Sequence, residues 1–205
     1  YADVLAERFG RRPLVVFNGP RAEPGVPVAA TRRWHEALGL DPATRVVLAV
    51  GQALPGRGLP ELVAAMRWVP GAVLVVVGDG PLVPELEASR TALPDPDRVH
   101  LRPALPPADL AAWTAAADVA AMPIQPTTLN HRLTTPTRLF DAMGAGVPIV
   151  ASDLPGMAAI VRSTGCGVLC DVSYLSPDAM GYTMPQYWRM TFWGDKGTLE
   201  TTPTA

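Results

Sequence analysis

The sequence predicts an α/β fold: a doubly wound parallel sheet with a short aromatic antiparallel tail. Three observations predict it. Short runs such as RVVLAVG (45–51), AVLVVVGDG (72–80), DVAAMP (118–123) and PIVAS (148–152) are apolar almost throughout, as strands buried on both faces are. Between them lie stretches of about ten residues with helical spacing of apolar side chains. Loops rich in Gly and polar residues follow the strands: GQALPGRG after Val50, GDGP after Val77 and DLPG after Ser152. Such alternation winds right-handed βαβ units into one sheet. Ligands of such sheets bind outside the carboxyl ends of the strands.

Taken in order, residues 2–9 read as the end of a helix, LVVF (14–17) as a strand and Asn18-Gly19-Pro20 as a turn. Residues 21–28 are Pro/Gly-rich and read as a linker. Residues 29–38 place Trp34, Ala37 and Leu38 on one helical face, and Gly39 stops that helix. The alternation then begins: strand 45–51, helix 60–68, strand 72–80, helix 81–93, strand 98–101, helix 109–117 and strand 118–123. The stretch 130–148, NHRLTTPTRLFDAMGAGVP, starts polar and then turns apolar with helical spacing at Leu139, Phe140, Met143 and Val147. Pro136 and Thr137 mark the helix start, since Thr caps well and Pro is tolerated in the first turn. Gly144 and Gly146 mark its stop. Strand 148–152, a short helix 157–161 and strand 166–170 complete the regular part. The expected organisation is a partial leading segment and linker (1–28), a main domain (29–171) and an atypical tail (172–205).

Composition narrows the function classes. A chain of 205 residues with 48% hydrophobic content can bury a sizeable core. A net charge of −2 gives no electrostatic reason to expect nucleic acid or an anionic membrane surface. No apolar run is long enough to span a bilayer, and no signal peptide is visible at Tyr1. The first residue is not Met, so residues upstream are expected. Cys166 and Cys170 stand four apart without a second pair, a poor metal site and a poor disulfide framework; a reduced cytoplasmic protein is the simplest reading. All basic residues but Lys196 are arginine, which with the Ala and Pro richness points to a GC-rich bacterial genome.

The candidate chemistry sits in two loops. In residues 51–58, Gly51, Gln52 and Arg57 lie among glycines that let a backbone approach a diphosphate, which Arg57 would neutralise; a plain βα turn is the alternative. Neither G-x-x-x-x-G-K-[ST] nor G-x-G-x-x-G occurs there. The second loop feeds a helix N-terminus, where backbone N–H groups and the helix dipole favour an anion. Arg138 can grip a phosphate in bidentate fashion, and Asp141 can accept from two sugar hydroxyls; a solvated first turn is the alternative. His131 could touch a ligand hydroxyl or cap the loop. Gly78-Asp79-Gly80 reads as a tight turn. No nucleophile elbow and no metal-ligand cluster is present.

The segments LAVGQALPGRGLPELVAAM, VLVVVGDGPLVPELE, ADVAAMP and NHRLTTPTRLFDAMGAGVPIVASDLPGM, in this order, resemble the C-terminal half of family 4 (group 1) retaining glycosyltransferases. The resemblance covers residues 14–170. It implies the Rossmann-like half of a GT-B fold, which binds a nucleotide-diphosphate sugar; VVFNGP is similar to the crossover into that half. An acceptor-binding N-terminal domain would be missing here, and this chain alone would be inactive. The family's basic pair falls on Gln52 and Arg57, so one charge is lost. Its two acids, eight apart, fall on Leu133 and Asp141. A subgroup pattern, N-H-R-L-S/T-x-P-x-K/R-L-F-E, makes Asn130, His131 and Arg138 the substitutes for the first acid. The implied donor-binding set is Gly51, Gln52, Arg57, Asn130, His131, Thr135, Thr137, Arg138, Leu139 and Asp141. No catalytic residue is assigned securely. Neither metal nor cofactor is implied, since arginines and a helix dipole neutralise the diphosphate. Nucleic acid is not expected as a partner, and the acceptor, peripheral to a membrane or otherwise, is open.

After Asp171 the character changes. YWRMTFWG alternates like a half-exposed antiparallel strand, and Gly194-Asp195-Lys196-Gly197 reads as a hairpin turn. This part faintly resembles the C-terminal sheet of Gfo/Idh/MocA-type NAD(P)-dependent oxidoreductases. It is read as a fusion, or as an unusual aromatic hairpin on the sheet. Two alternatives to a glycosyltransferase half stay open: an oxidoreductase fragment, and a non-catalytic nucleotide-sugar-binding module.

Overall fold

The computed structural model describes residues 2–16, 19, 32–172, 188–194 and 197–201. The linker at 21–28, most of the turn at 18–20, the first residues of the predicted helix 29–38 and the hairpin tip at Asp195 and Lys196 lie outside the described residues, as do the side chains of the tail.

The helices are α1 (Ala2–Phe9), α2 (Arg33–Leu38), α3 (Leu59–Ala65), α4 (Val83–Thr91), α5 (Pro107–Ala115), α6 (Leu129–Leu133), α7 (Thr137–Gly144) and α8 (Pro155–Thr164). The strands are β1 (Arg45–Val50), β2 (Ala72–Val77), β3 (Val99–Arg102), β4 (Val119–Met122), β5 (Ile149–Ser152), β6 (Gly167–Val172), β7 (Trp188–Gly194) and β8 (Gly197–Thr201). They form one sheet in the order β3-β2-β1-β4-β5-β6-β7-β8. The pairings among the first six are parallel, and those of β6 with β7 and β7 with β8 are antiparallel. The predicted parallel sheet and antiparallel tail are both present.

The order 3-2-1-4-5-6 reverses between β1 and β4, which creates a switch point with a crevice beyond the carboxyl ends of those strands. Burial follows from the period of a strand. Leu74 and Val76 of β2 pack with Leu59, Val63 and Leu86 on one face. Val73, Val75 and Val77 pack with Trp34 and Ala116 on the other. On that second face Trp34 Nε1 donates to the Trp113 carbonyl at 2.9 Å, and the two rings lie 4.3 Å apart, joining α2 to α5. A third cluster holds β4 and β5 against α7 and α8 through Leu139, Ile149, Met157 and Val161. At the opposite end of the switch point from the crevice, Asp118 accepts from Arg45 Nη1 and from the Val46 amide, each at 2.8 Å.

Three expectations change. Residues 12–16 adopt no regular structure, and Leu14 is 89% exposed; a β-prone run makes a strand only where a sheet edge pairs with it. The helix expected at 157–161 is the full α8, because Leu154, Met157, Ala158 and Val161 give it a longer buried stripe. Helix α6 was not foreseen. Its signal is Thr128, whose hydroxyl accepts from the His131 amide as an N-cap.

Candidate functional site

The two loops named from sequence both leave the switch point. After β1, the Gly51 amide donates to Val77 and the Ala53 amide to the Asp79 carbonyl, each at 3.0 Å. Ala53 is buried, so this end of the loop is anchored on the loop after β2. The other end turns at Gly56 (φ +77°) and Gly58 (φ +69°), a left-handed region that favours glycine. Gly58 has a second reason to be glycine: a Cβ there would lie 1.9 Å from the Pro123 carbonyl oxygen. The β1 loop therefore seats directly on the start of the β4 loop.

After β4 the chain is tied back to the first loop. The Gln125 amide donates to the Gly56 carbonyl at 2.9 Å, and Gln125 Nε2 donates to Glu61 Oε1 of α3 at 2.5 Å. Leu129–Leu133 form α6, capped by Thr128. Thr134 and Pro136 are extended, and the chain then enters α7. Pro136 is the N-cap and Thr137 the first helical residue, so Thr137 does not cap as expected; among the described residues no side chain caps α7. The N-terminal turn of α7 is left to form a wall of the crevice, with N–H groups that the helix cannot satisfy itself.

The resulting cleft has a volume of about 480 Å³, within the range of small-molecule sites. Gly51, Gln52 and Arg57 line one side, and Thr134, Thr135, Pro136, Thr137 and Arg138 the other. Ala49, Val50, Leu59, Ala121, Met122, Pro123 and Ile124 form the floor and ends. Six of the ten residues named from sequence thus meet at one place. The polar walls and apolar floor suit a ligand with a flat apolar group and a charged one.

The other four stand elsewhere. Leu139 is fully buried, and its amide donates to the Pro136 carbonyl at 2.9 Å; it is a core residue with neither group in the cleft. Asp141 does not line the cleft. Its side chain is only 16% exposed and accepts from Arg138 Nη1 at 2.5 Å, beside a small crevice behind Arg138 lined also by Leu48, Val50 and Thr114. Asn130 is exposed on α6. His131 lies against Gly56 and Thr127. Leu133, where the wider family carries an acid, is half-buried, and its carbonyl lies where a Cβ on Gly156 would fall. The residues missed from sequence are Thr134 and the strand-end floor. For the floor, its position at the carboxyl ends of the all-apolar β1 and β4 was the available signal.

Among the described residues no group of three or more His, Cys, Asp or Glu could hold a metal ion. No described helix is long and apolar enough to cross a membrane.

The chain is similar to known proteins in sequence and in fold. A profile of the family described as glycosyl transferases group 1 matches residues 44–183. The chain is 36% identical over 161 residues to a D-inositol 3-phosphate glycosyltransferase of Segniliparus rotundus, covering 72% of this chain and 34% of that protein. It is 30% identical over 177 residues to a GDP-mannose-dependent alpha-(1-6)-phosphatidylinositol monomannoside mannosyltransferase of Mycobacterium tuberculosis, covering 82% of this chain and 45% of that protein. The chain therefore spans about a third to under half the length of these relatives. The fold matches Anabaena HepE, solved in complex with UDP-glucose, with a TM-score of 0.61 at 23% identity over 80% of this chain and 45% of that one.

Proposed function

The chain belongs to the group 1 glycosyl transferases, and from that membership we propose that its switch-point cleft binds a nucleotide-diphosphate sugar as the donor part of a retaining glycosyltransferase. The observation that carries the reading is the convergence of Arg57, Arg138 and the uncapped start of α7 on one cleft. Two guanidinium groups and a helix N-terminus are what a diphosphate requires.

In the reaction the bond between the anomeric carbon and the phosphate oxygen breaks, and negative charge develops on the departing diphosphate. Donors already aimed at that charge stabilise the transition state more than the ground state. Arg57 and Arg138 act from opposite walls, with the residue 135–137 backbone between them. Asp141 serves the ribose hydroxyls from behind Arg138. The acceptor's hydroxyl oxygen forms the new bond with retention and loses its proton. In this proposal the cleft supplies the donor half of the reaction, and transfer also requires an acceptor-binding part. No metal is required in this scheme, because protein groups neutralise the diphosphate.

The names of the relatives support a phosphorylated inositol or inositol lipid as the acceptor class. The UDP-glucose of HepE and the GDP-mannose of the mycobacterial relative leave uracil and guanine as the two bases to compare. A cytoplasmic bacterial enzyme meeting its acceptor at a membrane surface fits these relatives. Calorimetric titration of the chain with UDP-glucose, GDP-mannose and NADH tests the reading. Binding of a sugar nucleotide but not NADH supports it; binding of NADH alone restores the oxidoreductase alternative.

A further inference from the structure

His131 was expected at the donor sugar, yet it does not line the cleft. Its Nδ1 lies 2.7 Å from Thr127 Oγ1. A Cβ built on Gly56 would stand 2.5 Å from His131 Cε1 and 2.7 Å from Thr127 Oγ1. The ring and the hydroxyl thus lie against the bare Cα of Gly56, the residue before Arg57. The backbone of His131 is itself held, because its amide donates to Thr128 Oγ1 at 3.0 Å. A backbone bond from the Gln125 amide to the Gly56 carbonyl, 2.9 Å long, reinforces the same seam.

We infer that Thr127, His131 and Gly56 form a latch that sets the position of Arg57, so that His131 is a positioning residue for the diphosphate rather than a contact of the sugar. This rests on the donor-site reading of the cleft. The glycine is needed for two reasons at once: its φ of +77° disfavours a side chain, and any Cβ would displace the ring. The latch is built from the β4 loop and acts on the β1 loop, so it couples the two walls of the cleft.

Two readouts on the chain test it. The variants are His131→Ala, Thr127→Ala, both together, and His131→Gln, whose amide can still meet the Thr127 hydroxyl. The ligands are UDP, UDP-glucose, GDP and GDP-mannose. A latch predicts that His131→Ala weakens diphosphate and sugar nucleotide alike, by about fivefold, the worth of one exposed hydrogen bond. The double variant should be no worse than the worse single one, since both remove one contact. His131→Gln should recover most of the loss. Independently of any ligand, His131→Ala should speed amide exchange in residues 52–58 and leave the core strands unchanged.

The inference is overturned if His131→Ala weakens only the sugar nucleotides, which would return His131 to the sugar, or if exchange in residues 52–58 does not change. A wild-type chain that binds none of the four ligands refutes the donor-site reading instead; the exchange measurement still decides whether the latch exists.

Discussion

Arg138 and Asp141 stand one turn apart on α7, and the guanidinium Nη1 donates to the carboxylate Oδ2 at 2.5 Å. Arg138 lines the cleft and Asp141 backs it from a half-closed crevice. One helical turn therefore carries both the group suited to a phosphate and the group suited to a ribose, with each orienting the other.

That relationship separates two effects in one variant. Asp141→Ala should weaken UDP and GDP by about tenfold or more, the worth of charge-assisted hydrogen bonds to sugar hydroxyls. Inorganic pyrophosphate, which has no ribose, should bind as well as before or better, because Arg138 is freed of its carboxylate partner. Equal losses for nucleotide and pyrophosphate in a calorimetric titration would show that Asp141 serves only to orient Arg138.

Leu139 is a core residue that sits in the middle of the donor motif. Leu139→Ala should cost about 2–5 kcal/mol of stability, as cavities left by large apolar side chains do. The folded fraction should bind UDP or GDP as tightly as the wild type. Urea denaturation gives the first number, and titration at low temperature the second. A selective loss of affinity with unchanged stability would move Leu139 into the site.

Gly58 carries the seating of one loop on the other. Gly58→Ala places a Cβ 1.9 Å from the Pro123 carbonyl oxygen at a φ of +69°. Strained backbone alone costs about 1–3 kcal/mol, and the clash adds to it. Thermal unfolding should show a fall of several degrees or more, roughly 2–4 °C per kcal/mol for a chain of this size. An unchanged Tm would mean that the loop seam relaxes freely.

His100 on β3 sets a pH dependence. Burial first, and Arg102 second, hold its pKa below the ordinary value of 6.5, and its buried Nε2 has no hydrogen-bond partner among the described residues. The unfolded chain binds the proton more readily than the folded one. Stability contributed by neutral His100 is therefore fully present above pH 6.5 and is lost as the pH falls from there through the lowered folded value. His100→Phe should flatten the Tm profile between about pH 7 and pH 5. A profile unchanged by the substitution would assign the acid sensitivity elsewhere.

Much of this arrangement was legible in the residues. Val46 to Val50 and Ala72 to Val77 are apolar without a break, and only a strand covered on both faces tolerates that. The order of strands and helices then placed loops 51–58 and 130–138 at the same end of the sheet. What stayed hidden depends on tertiary contact. Residues 14–16 have strand propensity, but no edge among the described residues pairs with them. Leu139 follows Arg138 in the motif, yet a step of about 100° around a helix turns it from cleft to core. The fit of His131 on Gly56 joins residues 75 positions apart; no local pattern announces it. The turn of Asp141 toward Arg138, outside the lining of the cleft, is likewise a matter of side-chain geometry.

The most direct test of the central claim is a calorimetric comparison of the wild type with Arg138→Ala, titrated with UDP-glucose and GDP-mannose. The donor-site account predicts that the wild type binds at least one of them, and that removing the guanidinium weakens it by about tenfold to a hundredfold, the cost of losing a hydrogen-bonded charge. Wild-type binding that Arg138→Ala leaves intact, or the absence of binding to either sugar nucleotide, would contradict it.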